Sequence, residues 1–378
     1  MSKINLNLLE ELTNDFGPSG FEWEVQKKMR NYVEKFADHI DKDRTGSLIF
    51  TKEGTEDSPK IMIAGHIDEI GFQIKSITKD GFLKFHQLGG WWDQTLLSQR
   101  VIIRTRKGEF IPGIITSKPP HVLSPEDRNK VVVKDKMYID VGCTLKEEVK
   151  ELGIREGDPV MPDAKFEIWE RPRLIESEDG KDKEKKFEIK KFAVGKAFDD
   201  RVGAVLTAEI IRRLKEENIE HPNTVYGCST TQEEVGLRGA YTAAKKILPD
   251  LAIAIDVDIS GDVPGIGDKA PAKMGKGPSL FIYDRSMIPN PRFRNFMIDL
   301  AEELNIPYQL STVPGGTDAG VIHLAGIGCP SLAICVPTRH IHSHNGIISV
   351  DDMENTVELI VEALKRLNKQ VIESFTEI

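Results

Sequence analysis

Glu233 and Glu234 stand side by side in the stretch CSTTQEEVGLRG (228–239), directly after an apolar segment, Thr224 to Thr230, that reads as a buried strand. Adjacent carboxylates repel. The pair is either a solvated loop, where charge costs nothing, or two groups with different work at one site. Other segments bear on the choice. IMIA is followed by Gly65, His66, Ile67 and Asp68; LAIAI is followed by Asp256; SLAICV is followed by PTRHIHSH, which holds His340, His342 and His344. Four apolar strands thus end in a histidine or a carboxylate, and sites in open α/β sheets form beyond the carboxyl ends of the strands. A fifth segment, KAFDDRVGAVLTAEIIRRL (196–214), is an amphipathic helix with Asp199 and Asp200 at its start. Capping accounts equally well for Asp200, because aspartate suits a helix N-terminus.

Histidine and carboxylate ligands together suit zinc, cobalt or manganese. The candidates are His66, Asp199, Glu234, Asp256 and His342. Five such groups hold two ions if one carboxylate bridges. Two dications against three carboxylates leave one positive charge, which a bound hydroxide neutralises, and such sites generate that nucleophile. Glu233 then remains as the base that takes the water proton and hands it to the leaving group. Consecutive strand residues face opposite ways, so the pair must lie where the strand has already broken into a loop, as Gly236 suggests. Plainer roles fall to the rest. Asp258 is a turn residue, Asp318 in GGTDAG a helix cap and His323 a helix-packing residue. His340 and His344 are pocket rim or surface, and Trp91 and Trp92 are core or dimer contacts. His121 is a weak candidate for reaching a neighbouring subunit's site.

The elements that must position these groups come from a chain of 378 residues, 39% apolar, with net charge −9 and pI near 5.6. That length suggests a large domain and a smaller one. A mildly acidic chain lacks the basic stripe of a non-specific nucleic-acid binder. Four cysteines without a CxxC pair read as free thiols in a reducing compartment. The N-terminus does not read as a signal peptide, and no run of 18 apolar residues would span a membrane. A soluble, cytoplasmic protein is expected. Helices are expected near 4–15, 21–37, 200–216, 237–246, 291–304 and 351–372, with strands at 224–230, 251–257 and 331–336. This alternation implies a largely parallel sheet covered by helices on both faces. Between about 70 and 165 the texture changes to short apolar runs separated by turns, as in FQIKSI, FLKFHQL, RVIIRT and KMYIDVG. They predict a small all-β module interrupting the larger domain. The charge run around EDGKDKEK, within 170–191, reads as a solvated hairpin tip.

GHIDEIG (65–71), GKAFDDRVG (195–203), TTQEEVGLRGA (230–240), AIDV (254–257), PGGTDAG (314–320) and PTRHIHS (337–343) together resemble metallopeptidase family 42, the di-metal aminopeptidases that include glutamyl and tetrahedral aminopeptidases. GIITSKPPH (113–121) and YIDVG (138–142) are similar too, so the resemblance runs over nearly the whole chain. It implies a catalytic α/β peptidase domain formed by 1–69 and 165–378, interrupted at 70–164 by a β-barrel-like dimerisation domain. It also implies peptide substrates and homo-oligomers in which dimers build a dodecamer. Carried over residue by residue, His66 and Asp256 would hold one metal, zinc or cobalt, and Glu234 and His342 the other. Asp199 would bridge, Glu233 would be the general base acting on a water between the metals, and Asp68 would orient His66. The chain departs from the family at 170–191, which is longer and more charged. It also departs after His342, where Ser-His-Asn stands in place of the more usual Ser-Pro. Two other readings compete. One is a glycoside hydrolase, since some relatives carry an endoglucanase label, with Glu233 and Glu234 as its carboxylates. The other is a metal-binding shell without turnover.

Overall fold

A computed structural model describes residues 4–175 and 186–377. Four strands form the centre of the large sheet, in the order Thr224–Thr230, Lys60–His66, Leu251–Ile259 and Ser331–Arg339, all parallel. Their residues are buried almost without a break, because helices cover both faces. The register pairs Thr230 with His66 and Asp256 with Cys335, so the polar residues that follow each apolar run leave the sheet at one edge.

The outer strands pair antiparallel. His39–Lys42 and Leu48–Lys52 extend one side, and Gly346–Ser349, Lys186–Gly195 and Glu167–Ile175 extend the other. The expectation of a largely parallel sheet therefore describes the centre. Gly346–Ser349 follows its neighbour after only six residues, too few for the crossover that a parallel pairing requires. The hairpin expected within 170–191 is present in its two strands, which pair from Glu167 with Val194 to Ile175 with Lys186. The charged run EDGKDKEK itself lies outside the described residues.

The helix Phe198–Glu216 lies on the central strands with nearly all its side chains buried. A Cβ on Gly65 would sit 2.2 Å from the carbonyl carbon of Gly203, and one on Gly203 would sit 2.3 Å from Asp200 Oδ2. Glycine at both positions lets helix and strand backbones touch, which brings the start of the helix against His66. The single helix expected over 351–372 is two, Val350–Leu364 and Lys369–Ser374. The Asn368 side chain accepts from Val371 N and so caps the second.

Six strands between Gly71 and Pro162 close into a barrel with its own core, which includes Phe72, Ile74, Val101, Ile103, Ile115, Ile139 and Val160. Among the described residues, no helix is long and apolar enough to cross a membrane.

Candidate metal centre

The strand Thr224–Thr230 ends just before the glutamate pair, and Gln232 adopts a left-handed backbone, φ 55°. Glu233 and Glu234 therefore lie on a loop, and the buried carboxylate of Asp68 holds that loop. Its Oδ1 accepts from Glu233 N at 3.0 Å, and its Oδ2 accepts from Glu234 N at 3.3 Å and from Ser19 Oγ at 2.6 Å. Asp68 also faces His66, whose Nδ1 lies 3.2 Å from the Asp68 carbonyl and 3.5 Å from its Oδ1. These contacts turn Nε2 of His66 toward the carboxylates.

Asp199 gives one oxygen to each of two histidines. His66 Nε2 is 3.1 Å from Asp199 Oδ1, and His342 Nε2 is 3.0 Å from Asp199 Oδ2. Glu234 Oε2 is 3.7 Å from His342 Nε2, and Glu233 Oε2 is 3.8 Å from His66 Nε2. Donor atoms of His66, Asp199 and Glu234 all lie within 4.8 Å of one another, and so do those of His66, Glu233 and Asp256. The two glutamates thus belong to different groups. His342, on the far side of Asp199, completes the set of residues that the structure brings together.

The electrostatics fit divalent cations. Burial, reinforced by Asp199, pushes Glu234 and Asp256 up to about 8. Glu233 is raised well above the usual carboxylate range, chiefly by burial. Burial also opposes the charge on Asp199, yet hydrogen bonds from His342 and His66 hold its carboxyl well below that range. Glu234 Oε1 is buried with no hydrogen-bond partner among the described residues. Carboxylates crowded around two imidazoles, one with an orphaned oxygen, form a donor set that hard or borderline dications satisfy.

Asp200 does more than cap. Its Oδ1 accepts from Gly203 N at 2.9 Å, while Oδ2 accepts from His66 N at 3.1 Å. Asp318 stands at the start of a short helix but makes no side-chain cap; it accepts from Thr230 Oγ1 instead, and its Oδ1 is buried without a partner among the described residues. His323 donates Nδ1 to Ala319 O at 2.9 Å, as a helix-packing residue does. His121 lies exposed in the turn Pro120–Val122 of the barrel. Trp91 is a barrel core residue stacked on Phe72, while Trp92 is 62% exposed. His344 corrects the expectation of a surface or rim residue, because it is only 4% exposed.

Two contributors carried no signal in the sequence reading. Gly90, from the barrel, accepts from His342 Nδ1 at 2.7 Å through its carbonyl, which leaves Nε2 for the site. A Cβ on Gly90 would lie 3.0 Å from His342 Nδ1, so glycine at this position gives the ring its room. The second is a buried ion cluster. Lys196 Nζ is 2.7 Å from both Glu69 oxygens, and Arg201 Nη2 is 3.0 Å from Glu69 Oε1. Arg201 also donates to the carbonyls of Ile67 at 3.1 Å and Asp15 at 2.7 Å. The cluster ties the loop carrying His66 and Asp68 to the segment carrying Asp199. Glu69→Gln leaves two buried cations short of their counter-charge and is expected to cost about 3 kcal/mol. Urea unfolding of the variant measures this, and a loss under about 1 kcal/mol would contradict the locking role.

A sequence profile described as M42 glutamyl aminopeptidase matches residues 46–359. The FrvX protein of Escherichia coli K12 is 37% identical over 99% of both chains. The structure of a TET aminopeptidase from a marine-sediment Thaumarchaeota archaeon is 49% identical, with TM-score 0.90, over 98% of this chain and 99% of that one. The Pyrococcus horikoshii TET1 peptidase, which can assemble into a tetrahedron or a large octahedral shell, is 30% identical with TM-score 0.78, over 96% and 99% of the two chains.

Proposed function

The chain belongs to the M42 glutamyl aminopeptidase family, a family of metal-dependent aminopeptidases, and we propose that it removes N-terminal residues from peptides with Glu233 as general base. His66 and Asp256 would hold one divalent ion, Glu234 and His342 a second, and Asp199 both. The observation that carries this reading is Asp199, whose two oxygens face two histidines from opposite ends of the site. Two such ions, zinc or cobalt in our reading, would polarise the scissile carbonyl and make water acidic enough to lose a proton near neutral pH.

The chain's own residues do the rest. Asp68 and the Gly90 carbonyl occupy Nδ1 of His66 and His342, so both rings offer Nε2. Glu233, on a loop whose backbone Asp68 fixes, takes the proton of the attacking water and returns it to the departing amine. A free substrate amine bound near the carboxylates makes the enzyme an exopeptidase.

The sheet, from 1–69 and 165–378, would be the catalytic domain, and the barrel, 70–164, the dimerisation domain of a dodecamer. The four free cysteines suit a cytoplasmic setting. A glycoside hydrolase built on Glu233 and Glu234 would leave Asp199 and both histidines without work, and a shell without turnover would leave Glu233 unused.

The test is release of nitroaniline from Leu, Glu, Asp, Lys and Ala nitroanilides. Activity should vanish with EDTA and return with zinc or cobalt. Chelator-resistant cleavage, or metal-loaded protein inert on every member, would refute the reading.

A further inference from the structure

We propose that Glu22 is a positioning residue for the general base: it fixes the turn at Gln232 and so sets where the Glu233 carboxylate meets the attacking water. The inference rests on the aminopeptidase reading, with Glu233 as base, and adds a residue to it.

Glu22 is 5% exposed and stands directly before the helix Trp23–Val33. The position suits a helix cap, but its side chain makes no capping bond. Its Oε1 accepts instead from Gly20 N at 2.7 Å and, across 210 positions, from Gln232 N at 3.1 Å. The first bond aims the carboxylate. The second holds the residue whose left-handed backbone, φ 55°, turns the chain off its strand just before Glu233. The next two N–H groups, of Glu233 and Glu234, go to Asp68, which also accepts from Ser19 Oγ. Three consecutive N–H groups thus end on two buried carboxylates, and the segment from Ser19 to Glu22 serves both.

The loop also bonds to itself. Gly236 N and Leu237 N donate to Glu233 O, and Arg238 N donates to Gln232 O. These bonds lie within 232–238, so they shape the loop without placing it. Its placement comes from the strand end and from the two carboxylates, Asp68 and Glu22, that reach it from elsewhere in the chain. Hydrogen bonds from a main-chain N–H to a carboxylate are among the stronger ones in proteins. Without Glu22, the turn at Gln232 loses the bond that holds it from the side of the helix Trp23–Val33, and a shift of about 1 Å at a reacting group is enough to cost about 10²-fold in rate.

Two metal-loaded variants of similar volume test this. Glu22→Met fills the space and offers no acceptor oxygen, whereas Glu22→Gln keeps one. On the nitroanilide that wild type cleaves fastest, Glu22→Met should lower kcat by about 30-fold with KM and bound metal unchanged, and Glu22→Gln should stay within about 3-fold of wild type. Hydrogen exchange followed by mass spectrometry, without substrate, should speed up in the segment holding Gln232–Glu234 in the Met variant and not in the Gln variant. If Glu22→Met fails a thermal-melt control, Glu22→Ala is read in its place. A wild-type kcat without the acceptor, a loss that appears in KM or in metal content instead, a loss as large in Glu22→Gln, or unchanged exchange would each overturn the proposal. An active wild type with an unaffected variant would remove only the role of Glu22, whereas cleavage of no nitroanilide by wild type would overturn the aminopeptidase reading as well.

Discussion

Glu233→Gln should retain its full complement of metal and lose about 10³-fold in kcat, with KM little changed. The amide keeps the size of the side chain and removes its capacity to accept a proton. Glu233 is assigned to proton transfer because His66, Asp199, Glu234, Asp256 and His342 are enough to hold two ions, and because its loop position is fixed through its main chain by Asp68 Oδ1. Its carboxylate lies 3.8 Å from His66 Nε2 and, with His66 and Asp256, forms a group that could itself hold an ion, so metal content has to be read together with the rate. Metal content by plasma emission, measured on the same samples as kcat, separates the two roles. A fall in bound metal equal to the fall in rate would make Glu233 a ligand, and retained turnover would remove it from the chemistry.

Asp199→Asn should do the opposite to metal content. Bound metal should drop from two ions per chain to one or fewer, and activity should fall by about 10³-fold or more. A neutral amide offers one acceptor oxygen where Asp199 offers two, one facing each histidine at 3.1 and 3.0 Å. It also removes a negative charge that two dications would share. The fold should survive, since Asp199 is held by the two imidazoles and the site instead of by the core. Circular dichroism and a thermal melt control for this. Unchanged metal content in a folded variant would refute the bridging role.

The four strand ends were readable because each central strand is an unbroken apolar run that stops at a polar residue, as a doubly covered parallel strand must. Asp199 was legible as a candidate because it stands at the start of a long helix whose apolar residues recur along 202–214. Contacts between distant residues were not readable. The Gly90 carbonyl meets His342 across 252 positions, and Glu69 meets Lys196 across 127. No local pattern encodes either pairing. His344 was misplaced for a different reason. The alternation His340, His342, His344 looks like strand spacing, but the strand stops at Arg339, and His340 and His342 both take left-handed backbone, φ 60° and 53°. Period-two reasoning fails once the chain leaves the strand, so His344 turns inward against Trp91 instead of outward. Of the antiparallel margins, the hairpin around 170–191 was legible, whereas His39–Lys42, Leu48–Lys52 and Gly346–Ser349 were missed because they are only four or five residues long.

The proposed centre requires one carboxylate, Asp199, to join two ions. Anomalous diffraction from crystals equilibrated with zinc tests it most directly. Two peaks about 3.5–4 Å apart, one contacting His66 and Asp256, the other Glu234 and His342, with Asp199 touching both, would be the expected result. A single peak, or a second one away from Asp199, would contradict it.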